Sequence, residues 1–275
     1  MSAPILSVDH VGVRFGGLVA VADLHFDVAE GEIVSLIGPN GAGKTTAFNV
    51  MTGFLKPSRG QVRFRGTALG GLQPHAIARL GLARTFQRTS VFPDDTVFDN
   101  VMIGLHRRGS SEPRPGLLDA VLGRDAAAER RLRARALDLL DRVGLAARAG
   151  EKAGALSYGE QRLVGVALAL AGEPAMLLLD EPVSGMNASE TQVFVRLIRA
   201  IRDRGVTILL VEHDMPMVMA VSDRIAVLNH GRLIAQGPPA AIRSDPAVIE
   251  AYLGQGSAAR EAARRAASAP ETSDA

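Results

Sequence analysis

Hydrophobic and polar positions along this chain change period several times, and each change predicts an element. Between residues 5 and 30 apolar side chains alternate loosely, at Ile5, Val8, Val11, Val13 and Phe15 and again at Val19, Val21, Leu24, Phe26 and Val28. That period predicts short antiparallel strands. Ile33–Ile37 is instead a mostly apolar run, short enough for a strand buried on both faces. Phe48, Met51 and Phe54 then recur at i, i+3 and i+6, which predicts a helix. Gln61–Arg65 alternates again as a strand, introduced by the turn Pro57–Gly60.

From about Thr89 to Ala155 strand signals fade. Thr96–Leu105 reads as a short helix capped by Thr96, and Gly109–Gly116 as a loop. Arg124–Val143 reads as a helix with Leu132, Ala136, Leu139, Leu140 and Val143 on one face and Arg130, Arg131, Arg133 and Arg135 elsewhere. That basic face reads as solvated. Met176–Leu179, Thr207–Val211 and Ile225–Leu228 are then short apolar runs separated by helical patterns over Thr191–Arg202 and Met215–Val221. Such runs suit a parallel sheet flanked by helices. His230-Gly231 predicts a hairpin turn into Arg232–Gln236, and Ile242–Leu253 a last helix. The segment from Gln255 has few large apolar residues and is expected to be mobile. The predicted fold is α/β, with an N-terminal antiparallel β portion, residues 1–88 and 156–254 as one core, and 89–155 as an inserted helical subdomain.

Composition narrows the classes. With 275 residues, 47% of them hydrophobic, the chain can bury a large core. A net charge of +2 gives no general field for nucleic acid, so none is expected as a partner. Cysteine is absent, which excludes disulfide frameworks, thiol catalysis and Cys-based zinc sites. MSAPILSVDH shows no basic flank before a long apolar stretch, so no secretory leader is expected. The longest apolar run, Leu163–Gly172, falls far short of the roughly 20 residues of a spanning helix.

The run Ile33–Ile37 leads directly into Gly38, Pro39, Asn40, Gly41, Ala42, Gly43, Lys44, Thr45 and Thr46, which satisfies G-x-x-x-x-G-K-[ST]. A strand before it and a helix after it are the context this motif requires. The glycines let successive N–H groups converge on phosphate oxygens, and the helix adds its positive end. Lys44 is expected to reach the β- and γ-phosphates, and the Thr45 hydroxyl to ligate Mg²⁺. One of only three lysines in the chain lies in this loop. Met176–Leu179 ends in Asp180-Glu181, where Asp180 can hold Mg²⁺ through water and Glu181 can polarise the attacking water. Leu156-Ser157-Tyr158-Gly159-Glu160-Gln161 opens a helix with Ser157 and Glu160 at capping-box spacing, and such an N-terminus is also a phosphate receptor.

GPNGAGKTT, Gln87, LSYGEQ, LLLDEP and His213, in that order, resemble the ATP-binding subunits of ABC transporters. RFGGLVAV, GLARTFQ, VEHDM and AYLG resemble more narrowly the ATPase subunits for branched-chain and other hydrophobic amino acids. The resemblance spans Ile5 to Gly254. It implies ATP hydrolysis coupled to import, a peripheral place on the cytoplasmic face of the plasma membrane, and two subunits sandwiching two ATP molecules. It also implies membrane permeases, a second ATPase of the same or a paralogous kind, and an external solute-binding protein as indirect partner. Urea or amide import, lipid or lipopolysaccharide export, and a non-transport ATPase of the same fold are the alternatives. The resemblance further implies that Phe15 stacks on adenine, that Gln87 touches Mg²⁺ and water, and that Ser157 and Gly159 bind the γ-phosphate of the opposite subunit's ATP. Ser184–Asn187 would couple the two sites, and His213 would contact the γ-phosphate. One departure follows the signature: Gly165 and Leu168 stand where relatives have an acidic residue and an Arg, which is expected to loosen local packing.

Overall fold

A computed structural model describes residues 3–85, 91–109 and 124–252. Its strands β1 (Leu6–Phe15), β2 (Leu18–Val28), β3 (Ile33–Ile37), β4 (Arg59–Phe64), β5 (Thr67–Ala68), β6 (Leu82–Arg84), β7 (Met176–Asp180), β8 (Thr207–Val211), β9 (Arg224–Asn229) and β10 (Arg232–Gly237) form one sheet. Their order is β5-β4-β1-β2-β10-β9-β3-β8-β7-β6. The half from β9 to β6 is parallel, and β1, β2, β4 and β5 pair antiparallel. The halves join where β10 meets β2, at the pair Arg232–Asp23.

The two-residue period of the buried strands decides which core each side chain enters. Ile33 and Ile37 of β3, Leu177 and Leu179 of β7, and Ile208 and Leu210 of β8 share one core. The alternate positions Val34, Leu36, Met176, Leu178, Leu209 and Val211 share the other, with Phe48 and the antiparallel strands. Residues in both sets are sealed from water, which explains why β3, β7 and β8 show no polar alternation.

Helix α1 (Lys44–Met51) follows β3 and buries Phe48 and Met51. The expected third position, Phe54, lies outside it. Thr52 Oγ1 donates back to Phe48 O at 2.6 Å, Gly53 takes a left-handed conformation, and Phe54 is half exposed. The short helix α2 (Pro74–Arg79) precedes β6. β6 has no sequence signal because it is brief and ends in Arg84.

Helices α3 (Val97–Gly109), α4 (Arg124–Arg142) and α5 (Tyr158–Ala171) pack together. Thr96 caps α3, its Oγ1 accepting from Asp99 N at 3.0 Å. The expected apolar face of α4 is buried at Ala136, Leu139 and Leu140, while Arg130, Arg131 and Arg133 are exposed. The helical layer continues past the expected boundary at 155, since α5 belongs to it. Leu168 packs into this layer. Gly104 of α3 leaves room for it, and a Cβ there would lie 2.9 Å from Leu168 Cδ2. Gly165 faces open space.

Helices α6 (Ala188–Asp203) and α7 (Met215–Val221) flank the parallel half. At the C-terminal side the expected single helix over Ile242–Leu253 is two: α8 (Pro239–Ser244) and a segment over 246–252. Asp245 breaks them, its Oδ1 accepting from Ala247 N at 2.8 Å, with Pro246 opening the second. Leu253 and the segment from Gln255 lie outside the described residues.

Glu32, just before β3, accepts from Arg224 Nε and Nη2 at 2.7 and 2.8 Å and from Ala29 N at 2.9 Å. Burial pushes its carboxyl up, but these donors outweigh burial and hold it below its ordinary 4.5. A depressed carboxylate stabilises the fold above that value, and the benefit is lost as pH falls through the lower folded value. In urea denaturation the stability gap between parent and Glu32→Gln should therefore be constant near neutrality and shrink in acid. A gap unchanged well below the ordinary carboxylate range would contradict it.

Candidate nucleotide site

Strand register brings the chemistry to one edge. Leu36 of β3 pairs with Val211 of β8, and Val211 pairs with Asp180 of β7. The residues that follow each strand, Gly38 onward, Glu181, and Glu212-His213, therefore leave the sheet side by side. This is the carboxyl edge of a parallel sheet, where ligands bind in folds of this kind.

The phosphate loop is closely fitted. Gly38 and Gly43 have φ of 153° and 104°, and a Cβ would meet Leu228 O at 2.0 Å and Ala20 O at 2.5 Å respectively. No side chain can occupy either position. Lys44 is buried, and its Nζ donates to Gly38 O at 2.6 Å and Pro39 O at 3.0 Å. Burial lowers its pKa, and the charges of Glu181 and Asp180 oppose that effect, so all three groups share one field. Helix α1 begins without a side-chain cap and without an acid in its first turn. By contrast α5 and α6 both carry capping boxes. The first N–H groups of α1 thus point to an anion outside the chain. Thr45 is exposed beside them and Thr46 is half-buried.

Asp180 is buried at the end of β7 and accepts from Arg84 Nη2 at 2.7 Å. Arg84 also donates to Asn49 Oδ1 at 2.8 Å and Thr52 Oγ1 at 3.1 Å, tying β6, β7 and α1 together. The donor set for a metal here is a hydroxyl (Thr45) and a carboxylate, hard oxygens suited to Mg²⁺. A carboxylate that already shares an oxygen with Arg84 suits a contact through water. Glu181 leaves the strand in a left-handed conformation, φ 45°. Its N–H donates to Val211 O at 2.9 Å.

Ser157 and Glu160 form the expected capping box. Ser157 N donates to Glu160 Oε2 at 2.9 Å, and Glu160 is anchored by Arg148. Ser157 is exposed, and Gly159 is buried against Glu190, which a Cβ would approach to 3.3 Å. Phe15 is not a core residue: it is 50% exposed at the turn between β1 and β2. His213 is exposed beyond β8. In the coupling loop Asn187 caps α6, accepting from Glu190 N at 3.0 Å. Gln87 lies outside the described residues.

Three comparisons bear on this geometry. The family model for "ABC transporter" matches residues 21–184. A second model, "Branched-chain amino acid ATP-binding cassette transporter", matches 232–258. The chain belongs to the ABC transporter family. The high-affinity branched-chain amino acid transport ATP-binding protein LivG of Escherichia coli K12 is 45% identical over 93% of this chain and 100% of its own length. The corresponding protein BraF of Pseudomonas aeruginosa is 43% identical over the same shares. The ADP conformation of MJ1267, an ATP-binding cassette of an ABC transporter, matches with a TM-score of 0.79 at 29% identity, covering 92% of this chain and 100% of that one. The chain is thus an ABC ATPase subunit, and it binds ATP. Among its described residues no helix is long and apolar enough to cross a membrane.

Several residues of this ABC ATPase escape sequence reasoning. Besides Arg84, the buried Glu212 accepts from Val183 N and His213 N, both at 2.9 Å, and so links the loop after Glu181 to His213. An acid ending an apolar strand, as at Asp180, was the available signal. Arg162 is buried behind the signature turn. Tyr252, within the stretch matched by the second model, faces the Gly38 amide, and burial pushes its phenol up to about 12. One further cluster lies on the antiparallel lobe, where His10 Nδ1 is 2.9 Å from Asp23 Oδ1 and stacks near His25. Arg59 Nη2, 3.6 Å from the same oxygen, supplies the positive charge that a metal would bring.

Proposed function

We propose that this subunit powers import of branched-chain amino acids. The alignment of Gly38, Glu181 and His213 by the Leu36–Val211–Asp180 register supports hydrolysis at that edge. The names of the relatives and of the C-terminal model support the cargo. Two subunits, alike or paralogous, face each other with two ATP molecules between them. Phe15 stacks on adenine, residues 38–46 wrap the phosphates, and Ser157 and Gly159 close on the γ-phosphate from the opposite side. Glu181 orients water, and His213 steadies the γ-phosphate. Thr45, Gln87 and, through water, Asp180 would hold Mg²⁺, which would supply positive charge against the β- and γ-phosphates. The helical subdomain, expected at 89–155 and continuing in α5, transmits closure to permease subunits from the cytoplasmic face of the membrane. A solute-binding protein delivers cargo on the far side.

The test is reconstitution. The complex that co-purifies with this chain from its native membrane, placed in proteoliposomes with ATP inside and the binding protein outside, should take up labelled leucine, isoleucine and valine. ATP-dependent uptake of urea instead, or co-purification with no permease, would overturn the reading.

A further inference from the structure

The signature turn is wired to the catalytic loop of the same subunit through one buried cation. Arg162 stands one helical turn after Tyr158 on α5 and is only 7% exposed. Its Nη2 donates to the Tyr158 hydroxyl at 2.7 Å, and its guanidinium carbon lies 4.9 Å from the centre of the Tyr158 ring. Its Nη1 donates to the Glu181 carbonyl at 2.9 Å, an oxygen shared with Ser184 N at 3.3 Å. Among the described residues no carboxylate lies within ion-pair distance of Arg162, and its Nε is buried without a hydrogen-bond partner. A buried charge held only by a phenol and a carbonyl is costly. A neutral side chain would pack there at less expense, so stability alone does not account for it.

The position of its two partners does. Glu181 holds a left-handed conformation that a residue with a Cβ keeps only when its surroundings impose it. Val211 O fixes the peptide before it, and Arg162 fixes the carbonyl after it. These two bonds hold the backbone from which the Glu181 carboxylate projects. Tyr158 lies between Ser157 and Gly159, its ring is 47% exposed, and its edge would be 3.4 Å from a Cβ on Gly185 of the coupling loop.

We propose that Arg162 is a positioning residue for Glu181, aligned by the Tyr158 hydroxyl. Through it the state of the signature turn, which meets one ATP, sets the aim of the carboxylate that hydrolyses the other. This rests on the assignment of Glu181 and of the signature turn made above. Contact at Ser157 and Gly159 shifts the first turn of α5, and Tyr158 with it. Arg162 follows and completes the Glu181 geometry only when both faces of the pair are engaged.

Tyr158→Phe keeps the ring and its packing but removes the hydroxyl, and should lower kcat for ATP about fivefold with KM within about twofold of the parent. Arg162→Lys, which keeps the charge and loses the fork, should lower kcat about tenfold or more. In a Glu181→Gln background, Tyr158→Phe should trap the ATP-bound dimer at the same ATP concentration as Glu181→Gln alone. Thermal unfolding of each variant separates a folding defect from a positioning one. Parental kcat in both Tyr158→Phe and Arg162→Lys would overturn the proposal, as would a fall in dimerisation that matches the fall in kcat. Parental hydrolysis by Glu181→Gln would instead remove the assignment on which the proposal stands.

Discussion

Glu181→Gln should lower ATP hydrolysis by at least about a hundredfold, the usual scale for losing a positioned general base. Glutamine preserves the size of the side chain and one acceptor oxygen, but cannot take a proton from water. The left-handed backbone at Glu181 and its bonds to Val211 and Arg162 do not depend on the carboxylate, so the loop should stay in place. Lys44 would lose one of the two negative charges that oppose its burial, but Asp180 remains. Nucleotide binding should therefore survive, and the ATP-bound pair should accumulate because its exit step is blocked. Size-exclusion chromatography with ATP would read the dimer, and phosphate release the rate. A variant that hydrolyses ATP at the parental rate, or stays monomeric with ATP, would sink the assignment.

Arg84→Ala should destabilise the fold by about 3 kcal/mol, the lower end of the cost of breaking a buried ion pair. Both side chains are nearly sealed, 8% and 7% exposed for Arg84 and Asp180, so solvent cannot replace the lost partner. Asn49 and Thr52 lose donors at the same time, and the faces of Phe48 and Phe54 lose a cation 5.6 and 6.0 Å from their centres. Arg84→Lys keeps a charge but not the fork that reaches three acceptors, and should lie between parent and Arg84→Ala. Urea denaturation would show the midpoint falling at an unchanged slope. Stability within about 0.5 kcal/mol of the parent would mean that the pair with Asp180 is not a structural tie.

Both variants probe the same edge of the sheet, yet only one of the two residues is visible in the sequence. Glu181 stands out because it ends an apolar strand and follows an aspartate. Arg84 lies within GLARTFQ, but nothing in that stretch says what it binds, and its role exists only because β6 lies beside β7. Glu212 and Arg162 are hidden in the same way: a charged residue is read as solvated until its neighbours are known. Phe15 is the reverse case. A Phe at a strand end reads as core from its residue type, and only its exposure at the β1–β2 turn frees it for a ligand. At Asp245-Pro246 the start signal for a second helix is present in the sequence, but the apolar spacing from Ile242 to Val248 runs across it and predicts one helix.

What the sequence by itself determined is what depends on neighbours along the chain. That includes the buried runs of β3, β7 and β8, the glycine loop before α1, the capping box that starts α5, and the chemistry each carries. Period, caps and backbone conformation are local, so they are legible one segment at a time. What only the tertiary structure decided is the pairing of Leu36, Val211 and Asp180, which brings three strand ends to one edge, and the burial of Arg84, Arg162 and Glu212 around them. Strand register and the environment of a buried charge are set between separate segments, 96 residues apart for Arg84 and Asp180 and 29 for Glu212 and Val183, and no local period encodes either.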